Sequence, residues 1–257
     1  MVAAVLLVPV ALVRGELRPL IRYWKPLLLF AAVEIAIPWY FLASAEQRLS
    51  SSLAGLLLAA VPLVGALLGW FTRTDRLDWR RALGLAIGFG GVAALVGLDL
   101  GADDIGALLE MLVVAVGYAV GPFILARYLT GLPSLGVIAA SLAVTAVAYA
   151  APAVVRFPQE WPWPSSVIVA VVVLGVVCTA IAFLLFFKLI DEAGPVRATV
   201  ITYINPAVAV ALGVVFLDEP FTKGIVVGFA LVLLGSALAT RRSRTRSPSP
   251  EPVVSEP

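Results

Sequence analysis

Apolar residues run along the chain in long blocks, and polar or charged residues fall mostly in the short gaps between them. The blocks are Pro26–Ser44, Ser52–Phe71, Ala82–Leu98, Gly106–Leu129, Pro133–Val155, Ser165–Phe187, Pro195–Phe216 and Thr222–Thr240. A helix rises about 1.5 Å per residue and bilayer hydrocarbon is about 30 Å thick, so about 20 apolar residues cross it. Allowing for tilt, each block has that reach. The pattern predicts eight spanning helices. A further apolar stretch, Val2–Val13, reaches only about 18 Å at the helical rise and cannot cross by itself. No basic region precedes it and no small-residue cleavage site follows, so it does not read as a signal peptide.

Composition agrees with lipid as the solvent. The 257 residues are 61% hydrophobic and 13% charged, against about 45–50% and 25% in a soluble domain. Histidine is absent and Cys178 is the single cysteine. That excludes an internal disulfide, a Cys/His zinc site, Ser-His hydrolysis and HExxH proteolysis. The chain does not read as an enzyme, and neither catalytic residues, a metal nor a cofactor is expected.

Charge decides orientation. One set of alternate connections holds fifteen of the eighteen Lys and Arg residues; the other holds Arg48, Arg156 and Lys223. The positive-inside rule then predicts a multi-pass protein of the cytoplasmic membrane with its C-terminus in the cytoplasm. The tail RRSRTRSPSPEPVVSEP, residues 241–257, is basic and rich in Pro and Ser, and is expected to be disordered.

Shifting the chain by 144 residues aligns Ser52–Gly69 with Val196–Gly213. Pro62 then meets Pro206 and Gly69 meets Gly213, and the register continues through Gly84/Gly228 and Gly91/Gly235. Aligned Pro and Gly mark backbone features, which mere hydrophobicity does not explain. From the start of one helix to the start of its partner the chain makes five spans, an odd number, so the two copies run in opposite senses, as in transporters with inverted repeats. The expected fold is an all-α polytopic membrane protein with two inverted five-helix repeats. Residues 1–98 form the first repeat, lacking its first helix and part of its second, and 105–240 form the second. The register therefore predicts an intact form of ten helices, with about 40 residues ahead of Met1.

These features resemble the EamA-type permeases of the drug/metabolite transporter superfamily. The resemblance rests on the five-plus-five inverted helices, on Pro62 and Pro206 in matching helices, and on INPAVAVALGVVFLDEP (Ile204–Pro220). It is supported by the first-half stretch Glu34–Gly69, which looks like the family's third and fourth helices. It implies secondary transport, commonly export, of small metabolites or drugs. It also implies a central cavity lined by helices one, three and four with their counterparts six, eight and nine.

Glu34 is the leading candidate for binding or coupling, because a carboxylate well inside a spanning helix is expensive and by default functional. Pro38 cannot donate to the carbonyl of residue 34, which places a free acceptor beside that carboxylate. Thr199, Thr202 and Asn205 share one stripe of the matching helix and could bind a solute by hydrogen bonds, or serve as glue between helices. Tyr118 and Tyr203 are weaker candidates. Pro62 and Pro206 are expected to break their helices. Glu110, one turn inside its helix, reads as a residue reaching back to water. The GxxxG pairs Gly84/Gly88 and Gly224/Gly228 read as close packing, with a dimer seam as the alternative.

The resulting expectation is an exporter of small metabolites or drugs that works by alternating access. The alternatives are a non-transporting scaffold or inactive truncated transporter and, behind these, an intramembrane enzyme. Expected partners are a small-molecule substrate and the lipid bilayer; proton coupling and a homodimer stay open, and nucleic acid is not expected.

Overall fold

The computed structural model describes residues 1–72, 78–99, 105–155, 162–193 and 201–240. Within these, the side chains of residues 98, 99, 187, 190, 191, 193 and 201–203 are left out. The described helices are α1 (Val2–Val13), α2 (Arg18–Ala45), α3 (Ser51–Phe71), α4 (Trp79–Asp99), α5 (Ile105–Tyr128), α6 (Ser134–Val155), α7 (Ser165–Phe186, running on to Ala193), α8 (Ile201–Leu217) and α9 (Lys223–Thr240). Seven of them, α2 to α7 and α9, are long and apolar enough to cross a membrane. The molecule is an all-helical membrane protein. α1 is the predicted short helix. The seventh predicted block begins at Pro195, outside the described residues, and is seen only from Ile201 as α8. The tail 241–257 also lies outside them.

Three of these helices are interrupted. α2 opens with a tight turn, Arg18–Tyr23, and widens at Ala31–Ala36 to five-residue hydrogen bonding before resuming at Ile37–Ala45. α7 widens in the same way at Val176–Ile181. α3 leaves the helix at Ala59 and Ala60 and restarts at Val61, with Pro62 in the first turn of the second piece. There the missing N–H is an orphan in any case. The Ser236 hydroxyl of α9 donates to the Ala59 carbonyl at 3.2 Å, so the break is satisfied from outside the helix.

Pro206 behaves differently from expectation. α8 runs through it without interruption. The proline removes one backbone hydrogen bond, a loss that spanning helices tolerate, and the helix is not broken.

The most extensive contact joins α4 to α9. Gly84 lies against Gly235 and Ala239, while Gly228 lies against Gly91 and Leu95. Adding or subtracting 144 exchanges these two sets residue for residue. A methyl group on Gly84, Gly91 or Gly235 would run into backbone of the opposing helix. This is the close approach that small residues permit in membranes. The two helices run antiparallel, since residues later in one meet residues earlier in the other. Their N-caps match too: Asp78 accepts from Arg81 N at 2.8 Å and Thr222 from Ile225 N at 3.1 Å, again 144 residues apart. The glycines thus pack helices within one chain.

Candidate functional site

The wide turn in α2 builds the site. Ile37 N–H bonds the carbonyl of Ala32, five residues back. In that register the donor lost at Pro38 is the one Val33 would have used, and the Val33 carbonyl lies against Gly117 of α5. The sequence, counting four residues, points to the Glu34 carbonyl; the widened turn, counting five, adds that of Val33. Such turns collect at functional sites.

α5 is shaped to receive this turn. A methyl group on Gly117 would meet the Pro38 ring and the Val33 carbonyl, and one on Gly121 would overlap the Glu34 carboxylate itself. Pro38 is fully buried. Glu34 Oε2 is buried without a hydrogen-bond partner among the described residues. An unpartnered carboxylate oxygen there is costly unless a proton or a cationic group joins it. Tyr118, on the same helix, pairs with Trp39 and lies near Glu34. From α6, the Tyr149 hydroxyl donates to the Ala36 carbonyl at the end of the turn. The site therefore combines one carboxylate, two tyrosines, an indole and a loosened backbone, contributed by three helices.

Of the residues singled out in the sequence, Glu34, Pro38 and Tyr118 come together here. Asn205 is exposed on α8, whose main partner is α3. Thr199 and the side chains of Thr202 and Tyr203 lie outside the described residues, so Asn205 is all of that polar stripe that can be placed. Gly117, Gly121, Trp39 and Tyr149 were not anticipated. The two glycines did carry a signal, a GxxxG spacing on one face of α5. Tyr149 carried none, because its role depends on where α6 packs. Glu110 is not simply solvated: it accepts from Arg48 at 2.5 Å and from the Ser44 hydroxyl at 3.1 Å.

Comparison with known proteins extends this picture. The model of the EamA-like transporter family matches residues 1–97 and 105–241. The chain is 22% identical over 255 residues to the "Uncharacterized transporter YvbV" of Bacillus subtilis (strain 168), covering 96% of this chain and 81% of that protein. It is 30% identical over 247 residues to the "Uncharacterized inner membrane transporter YedA" of Escherichia coli (strain K12), covering 90% and 78%. A solved crystal structure, 25% identical, superposes with a TM-score of 0.65 over 93% of this chain and 84% of the other.

Proposed function

The chain belongs to the EamA-like transporter family, and on that premise we propose that it exports a small organic molecule across the cell membrane by alternating access. The observation that carries the proposal is Glu34. Its carboxylate sits inside a spanning segment, in a notch cut by Gly121, with one oxygen unpartnered among the described residues. That group is suited to carry a proton or to pair with a cationic part of the substrate, and the loosened carbonyl of Val33 offers an acceptor nearby.

Alternating access follows from two inverted repeats rocking about a shared seam. Three features support that architecture. The α4/α9 contact exchanges into itself under the 144-residue shift. The N-caps Asp78 and Thr222 obey the same shift. The widened turns of α2 and α7 lie at matching positions, within one residue. The arginine distribution supports a cytoplasmic C-terminus.

The test is to compare small molecules in the medium of cells expressing the native chain, Glu34→Gln or an empty vector. We expect at least one compound to accumulate with the native chain and to fall to the vector level with Glu34→Gln. Equal media from all three would overturn export, and undiminished export by Glu34→Gln would overturn the role of Glu34.

A further inference from the structure

A second carboxylate joins the two halves of the chain at the end of the bundle poor in arginine. Glu219 follows α8, and its two oxygens accept from Ser51 N at 2.8 Å and Ser52 N at 2.9 Å, the first amides of α3. The contact spans about two thirds of the chain, from the second half to the first. The Ser50 hydroxyl accepts from a different amide, Leu53 N at 3.2 Å, so Glu219 serves two helix-end donors that the helix's own cap leaves free.

The turn before Glu219 is built around this contact. Asp218 holds a left-handed φ of 52°, a conformation costly for a residue with a side chain. Glu219 N donates to the Gly213 carbonyl at 3.1 Å. Gly213 is bare where a methyl group would strike the Glu219 carboxylate and the Ser52 hydroxyl. Burial alone would raise the Glu219 pKa, but the bonds from Ser52 and Ser51 outweigh it and hold the group below the ordinary 4.5. The clasp is therefore charged at neutral pH. Close by, the Arg48–Glu110 pair ties the α2–α3 connection to α5.

The clasp contrasts with the α4/α9 seam. The seam is backbone against backbone at Gly84, Gly91 and Gly235, packed too closely to admit a methyl group. The clasp is two hydrogen bonds to helix-end amides that water can satisfy equally well once they part. One is built to stay closed and the other to exchange. We propose that Glu219 is a latch holding the halves together at this end, and that the transport cycle opens this end by withdrawing its carboxylate from Ser51 and Ser52. The inference rests on the alternating-access reading above.

The test needs no substrate, so its outcome is independent of whether Glu34→Gln stops export. Cys178→Ala removes the single thiol, and Ala54→Cys places a reporter one turn inside α3 at a buried position. A membrane-impermeant maleimide, added from the side of the clasp to the intact chain, then reports opening. Adding Glu219→Gln should raise the labelling rate at least tenfold, which corresponds to about 1.4 kcal/mol. Ser50→Ala, which weakens the helix's own cap and leaves the latch, should leave the rate within twofold. An unchanged rate with Glu219→Gln in folded protein would overturn the latch. So would an equal rise with Ser50→Ala, which would mean that the helix end merely frays. Should Glu219→Gln not fold, Glu219→Asp, which shortens the reach by one methylene, is read by the same criteria.

Discussion

The widened turns of α2 and α7 are one backbone device used twice, at Ala31–Ala36 and Val176–Ile181, and their surroundings differ in almost every respect. Under the 144-residue shift Glu34 corresponds to Cys178. The α2 turn is enclosed by α5 and α6, and a tyrosine from α6 takes its Ala36 carbonyl. The α7 turn relaxes within itself: the Thr179 hydroxyl donates to the Leu174 carbonyl at 2.8 Å. Cys178 is exposed, and the preceding segment, Ser165–Gly175, buries no residue. A widened turn is therefore not a site by itself. It becomes one where a charge sits on it and neighbouring helices are cut to enclose that charge.

The largest effect that follows is on export. Glu34→Gln should reduce it to background, whereas Cys178→Ser should leave it within about twofold. Adding Cys178→Glu to Glu34→Gln should not restore it, because the α7 turn lacks the enclosing notch. Restoration, measured in the same media comparison, would break the distinction between the two turns.

The next effect is on stability. Gly121→Ala drives a methyl group into the Glu34 carboxylate and should cost about 1–3 kcal/mol, the usual penalty of overpacking. Gly90→Ala in α4, where nothing lies within 4 Å, should cost nothing measurable. Thermal unfolding in detergent compares the pair, and equal melting temperatures would remove the notch from the account.

Smaller still is the effect of the two hydroxyls. Tyr149→Phe removes a bond between helices and should cost about 0.5–1.5 kcal/mol. Thr179→Val removes one within a helix and should fall at or below the lower end of that range. Only the first should also lower export, since only it touches the turn carrying Glu34.

Much of this was legible in the sequence, for identifiable reasons. Lipid imposes a length and an apolarity on each span, so Ser52–Phe71 and Ser165–Phe187 were found almost to the residue. Val2–Val13 was recognised as too short to cross. Glu34 with Pro38 stood out because few groups in a spanning helix are ionisable. Less visible was anything that depends on how one helix meets another. Pro62 coincides with a break and Pro206 does not, although the residue and its alignment are the same. The difference accompanies a donor, Ser236, that arrives from α9 at the break in α3. The part of the Val33 carbonyl had no local signal, because a widened turn counts five where an ordinary helix counts four. Tyr149 has no local signature at all; it matters only because α6 brings it to Ala36.

The central claim is that an enclosed carboxylate on a widened turn drives transport, and that its counterpart turn does not. Its most direct test measures compound release into the medium from cells expressing the native chain, Glu34→Gln and Cys178→Ser side by side, at matched membrane abundance. The account predicts release by the native chain and Cys178→Ser, and background release by Glu34→Gln. Release by Glu34→Gln at the native rate, or loss of release with Cys178→Ser alone, would contradict it.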